Sequence, residues 1–63
     1  MNKPNHYTDQ SSYYIECVTN DGLTYFQAVR RKDEYIYFAN QSLSVVADKL
    51  YKPCYKDGSP VIL

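Results

Sequence analysis

The chain has 63 residues with seven basic and seven acidic side chains, and so carries no formal net charge. That length holds one small domain rather than a two-domain enzyme, and no apolar run approaches the ~20 residues a membrane-spanning helix needs. At 44% hydrophobic and 22% charged the composition is that of a folding chain, and eight Tyr with two Phe make it 16% aromatic without any Trp.

Met1 to Ser11 is polar throughout and lacks the apolar stretch of a secretory signal, so residues 1–11 read as an N-terminal arm ahead of a single small α+β domain at 12–63. A chain without such a signal is expected in the cytoplasm, where thiols stay reduced. Cys17 and Cys54 are then free, and a disulfide between them would require export.

Ser12 to Thr19 is rich in β-branched and aromatic residues and runs into Asn20-Asp21-Gly22, and Asp-Gly between two such runs specifies a tight hairpin. Leu23 to Arg30 is the returning strand. With Asp21-Gly22 as the turn, Tyr13 faces Arg30, Ile15 faces Ala28 and Cys17 faces Phe26. Ile15, Cys17, Phe26 and Ala28 then share a core face, with Tyr14, Glu16, Val18, Tyr25, Gln27 and Val29 on the other. A three-residue loop would slip the register by one and set Glu16 opposite Phe26, which sorts the side chains less cleanly.

Tyr35 to Ala39 is a third strand. A connection over Arg31, Lys32 and Asp33 sets Arg30 beside Glu34 as an opposite-charge pair, with Asp33 in the left-handed conformation. It puts Ile36 and Phe38 on the core face and sends Tyr35 and Tyr37 to join Tyr14 and Tyr25. A connection with an even number of residues reverses that assignment. Ser42 is a candidate helix N-cap, and Leu43, Val46, Ala47 and Leu50 recur at helical spacing, predicting a helix of about ten residues that Pro53 stops. Lys49 and Lys52 fall in its last turn, where the helix dipole favours cations. Val61-Ile62-Leu63 is a candidate short fourth strand. The expected fold is a three-stranded antiparallel meander with one C-terminal helix packed on one face.

No constellation carries catalysis. His6 lies in the arm, and Cys17 in an apolar row reads as a small hydrophobe rather than a nucleophile. Glu16 and Asp48 could form a carboxylate pair, although carboxylates at strand and helix surfaces are ordinarily solvated. Two Cys and one His do not supply a closed four-ligand metal site, so neither a metal nor a cofactor is expected. The features point instead to a non-enzymatic protein-binding module. A lone helix covers one sheet face, leaving Tyr14, Tyr25, Tyr35 and Tyr37 as anchors on the other, with Arg30, Arg31 and Lys32 at the rim. The partner is an unidentified protein or a second copy of the chain, and the size suits a small accessory, adaptor or inhibitor protein such as phages and mobile elements encode. The alternative is a single-stranded nucleic-acid binder that stacks bases on the same rings and meets phosphates with the same cations. Zero net charge, and Asp33 and Glu34 directly after the basic triplet, weigh against it.

Overall fold

The computed structural model describes residues 8–9 and 12–63, which form in order β1 (Thr8–Asp9), β2 (Tyr13–Asn20), β3 (Leu23–Arg30), β4 (Ile36–Asn40), α1 (Leu43–Ala47) and β5 (Leu50–Tyr51). Strands β2, β3 and β4 make a three-stranded antiparallel meander, α1 packs against it, and β1 pairs in parallel with β5. This is the α+β architecture expected from the sequence. The N-terminal arm lies outside the described residues, apart from Thr8 and Asp9.

The first hairpin follows from its turn. Asp21 at φ 54° and Gly22 at φ 77° form a turn with both central residues left-handed, and its twist matches that of the strands it joins. The resulting register pairs Tyr13 with Arg30, Ile15 with Ala28 and Cys17 with Phe26, as the side-chain pattern required.

The second connection departs from expectation. Arg31, Lys32, Asp33 and Glu34 all lie between the strands: the Arg30 N–H donates to the Tyr35 carbonyl at 2.8 Å and the Glu34 N–H to the Arg30 carbonyl at 2.7 Å. Glu34, at φ 57°, takes the left-handed position in place of Asp33. Asp33 is held instead by its side chain, which accepts two hydrogen bonds from Arg30 and one from the Tyr35 N–H. The Arg30–Glu34 pair is therefore replaced by Arg30–Asp33. This even connection sets Ile36 opposite Val29, and a bulge then restores Phe38 opposite Ala28, leaving Tyr37 as the extra residue. Ile36 and Phe38 are thus split between the two faces, where a bulge-free strand would have kept them together.

The core lies between the sheet and α1. Ile15, Ala28, Val46, Ala47 and Leu50 are buried there, with Tyr13, Phe26, Phe38, Leu43, Tyr55 and Val61 packed partly against them. Ile15 and Val46 are fully enclosed, each contributing about 1.5–3 kcal/mol. Cys17, assigned to this core by its alternation, is exposed, because it stands toward the hairpin tip beyond the reach of the short helix.

That helix is half the expected length. Ser42 is its N-cap in extended conformation, but its hydroxyl meets the Ser44 hydroxyl rather than a backbone N–H. The Lys49 N–H donates to the Val46 carbonyl, tightening the last turn, after which the chain extends. Leu50 is buried as the helical spacing implied, but from β5, where pairing with Thr8 satisfies the backbone that an isolated last helical turn would leave frayed. Lys49 and Lys52 consequently fall outside the helix. The short fourth strand toward the C-terminus is Leu50–Tyr51, whereas Val61–Leu63 has no strand conformation. Cys54, Tyr55 and Pro60 form isolated bridges instead, Cys54 accepting the Ile15 N–H at 2.8 Å and so covering part of the β2 edge.

Candidate partner-binding surface

The register just described redistributes the tyrosines. Tyr14 is only 5% exposed and its cross-strand partner Val29 is likewise buried, so the face opposite α1 is not a bare phenolic sheet. The Arg31 guanidinium stands 5.1 Å over the Tyr14 ring and the Lys56 ammonium 5.8 Å from it. Arg31 also donates to the carbonyls of Lys56 and Tyr55 and to Cys54 Sγ, each at 3.3 Å. This residue, expected at a binding rim, is a clamp that fastens the 54–56 segment to the sheet. Tyr14, expected as an exposed anchor, is the surface it closes on.

Tyr25 keeps the expected position opposite Val18 on the face away from α1 and is half-buried. Beside it Gln27 donates to the Glu16 carboxylate at 2.9 Å, so that face is partly occupied by its own polar ladder.

Tyr35 and Tyr37 go elsewhere. Tyr35 pairs with Arg30 and lies under its guanidinium at 4.8 Å. The ring of Tyr37 meets that of Tyr13 at 5.2 Å with a 60° tilt, an arrangement favoured by the ring quadrupoles. Tyr13 and Arg30 are cross-strand partners on the α1 side of the sheet. Tyr13, Arg30, Tyr35 and Tyr37 therefore form one ring-and-cation cluster at the sheet end nearest the β3–β4 connection. Tyr35 is 56% exposed and Tyr37 38%, and between them Ile36 is 51% exposed on the opposite face. Lys32 is exposed at the tip of the connection.

Arg30 and Asp33 are joined in a two-bond pair at 2.9 and 2.8 Å. Hydrogen bonds from the Arg30 guanidinium, with help from the Tyr35 N–H, hold the Asp33 carboxyl well below its ordinary range, at about 2, and the carboxylate in turn raises the affinity of Arg30 for its proton. The pair locks the connection and fixes Arg30 over Tyr35.

Next to the cluster a cleft of about 470 Å³ is lined by Ser12, Tyr13, Arg30, Arg31 and Lys32. The sequence-derived set thus separates: Arg30, Tyr35 and Tyr37 come together, Arg31 and Lys32 share the adjoining cleft with Arg30, and Tyr14 and Tyr25 stand apart from the cluster. Tyr13 was missed, although the hairpin register had already set it opposite Arg30.

The candidates for chemistry stay apart. Glu16 projects from the face opposite α1 and Asp48 ends the helix, so the sheet lies between them. Cys17 and Cys54 form no disulfide, the first being exposed and the second buried. His6 lies outside the described residues. No helix among the described residues is long and apolar enough to cross a membrane. Compared with known proteins, the chain matches no family model, no curated protein and no solved structure.

Proposed function

We propose that the chain is a non-enzymatic protein-binding module whose contact surface is the Tyr13, Arg30, Tyr35 and Tyr37 cluster, extended over the strand edge by Ile36. The observation that carries this reading is the exposure of three consecutive large side chains, Tyr35, Ile36 and Tyr37, at the end of an edge strand. Exposed Tyr beside Arg is the composition of interface anchors, because such rings bury much area while losing little conformational freedom. The Arg30–Asp33 lock and the Tyr13–Tyr37 contact hold two of those anchors in place before binding, which lowers the entropy cost of association.

The cations support a protein partner over nucleic acid. Arg30 is paired with Asp33 through two of its nitrogens and Arg31 is engaged by the 54–56 segment, so the basic triplet does not offer three free charges to the successive phosphates of a nucleic-acid backbone. The test is partner capture from lysate with and without nuclease, comparing the native chain with Tyr35→Ala/Tyr37→Ala and with Tyr25→Ala. Light scattering on the isolated chain determines whether the captured species is a second copy. The expected result is one stoichiometric protein, resistant to nuclease, lost with the double variant and kept with Tyr25→Ala. Capture undiminished by the double variant, or abolished by nuclease, would overturn the reading.

A further inference from the structure

The cleft beside the cluster has a charge character of its own. Its lining joins Ser12 and the Tyr13 ring to three successive cations, and no carboxylate lines it among the described residues. Asp33, the nearest acid in sequence, is turned onto Nε and Nη2 of Arg30, and Tyr13 approaches the same guanidinium, so Arg30 brings positive potential to the cleft. Arg31 has its terminal nitrogens on the Tyr55 and Lys56 carbonyls and on Cys54 Sγ, so it contributes positive potential more than hydrogen bonds. Lys32 is exposed, and Ser12 completes the lining. The Tyr13 ring, which meets that of Tyr37, sets an apolar surface beside these cations.

Resting on the protein-binding reading above, we propose that this cleft receives an acidic segment of the partner, one or two carboxylates meeting Lys32 within the positive field of Arg30 and Arg31 while a neighbouring apolar side chain covers Tyr13 and Tyr37. A carboxylate-bearing peptide fits better than a nucleic-acid strand. The cationic surface is a single cleft rather than a track along which successive phosphates could run.

The probe is a blocked peptide, Glu-Glu-Leu-Glu-Glu, titrated into the full isotope-labelled chain and followed by amide chemical shifts. A Gln-for-Glu peptide, inorganic phosphate and a single-stranded oligouridylate are titrated in parallel. The acidic peptide is expected to shift Ser12, Tyr13, Arg31 and Lys32 and to weaken with added salt. Its affinity should fall roughly tenfold in Lys32→Glu, and the neutral peptide should leave those amides unmoved. No shift at millimolar peptide, equal shifts with phosphate, or tighter binding of the oligonucleotide would overturn the proposal. Lys32→Glu is also carried into the capture experiment. Capture surviving Lys32→Glu but lost with Tyr35→Ala/Tyr37→Ala would overturn the acidic segment alone. Capture surviving both would overturn the surface as well.

Discussion

Val45 and Val46 are neighbours in α1 that differ in what they touch, and truncating each in turn tests whether this short helix holds the fold together. Val46 is fully buried against Ile15, Ala28 and Leu50, while Val45 is 40% exposed. Val46→Ala removes two methyl groups at about 0.8 kcal/mol each, and an incompletely collapsed void of some tens of Å³ adds about 1 kcal/mol. The expected loss is ~2.5 kcal/mol. A chain of this length has a total stability of roughly 3–9 kcal/mol, so the loss is a large fraction of the whole and lowers the melting temperature by about 10–20 °C. Val45→Ala should stay within ~0.5 kcal/mol of the native chain. Urea unfolding followed by circular dichroism measures both. Equal effects, or a loss at Val46 below ~1 kcal/mol, would refute the packing of α1 on the sheet.

Three further outcomes follow from local geometry. Gly22 has φ 77° and open space where a Cβ would stand, so Gly22→Ala carries a backbone cost alone, about 1 kcal/mol, with a smaller one for Gly22→Asn; urea midpoints check both. The Asp33 carboxyl should titrate near 2 in the native chain and return toward 3.8 in Arg30→Gln, read by carboxyl carbon chemical shifts. Because the folded value is the depressed one, the pair's stabilisation is present above 3.8 and is lost as pH falls through about 2, so Arg30→Gln should flatten the acid limb of the stability curve. With a thiol-reactive dye one cysteine, Cys17, should react rapidly and Cys54 only slowly; Arg31→Ala should speed Cys54, and an unchanged slow phase would contradict the clamp.

Side-chain alternation and the Asp-Gly turn were enough to read the first hairpin, because a one-residue slip there would turn Ile15 and Ala28 out of the core. The second hairpin carried no comparable signal. Without a Gly in the connection, nothing in Arg31-Lys32-Asp33-Glu34 says which residue turns left-handed, and Glu34 does so because Asp33 is engaged by Arg30. That single displacement, compensated by the bulge at Tyr37, kept Phe38 in the core yet moved Tyr35 and Tyr37 to the α1 side, so the fold class was legible while the site was not. Leu50 was recognised as a core residue from its spacing, but the same spacing mistook its strand for helix, since burial alone does not distinguish them. Alternation places Tyr14 on the open face, and the clamp that covers it comes from Arg31 and Lys56, positions that no periodicity links to it.

The placement of the contact surface depends on how β4 lies against β3, and cross-strand proton contacts report that directly. Close α-proton contacts between Val29 and Ile36 and between Gln27 and Ala39, together with ring contacts between Tyr13 and Tyr37, are the result this structure predicts. Contacts of Val29 with Tyr35 and of Gln27 with Tyr37 would mean a bulge-free strand, would return both rings to the other face, and would contradict the cluster on which the functional reading stands.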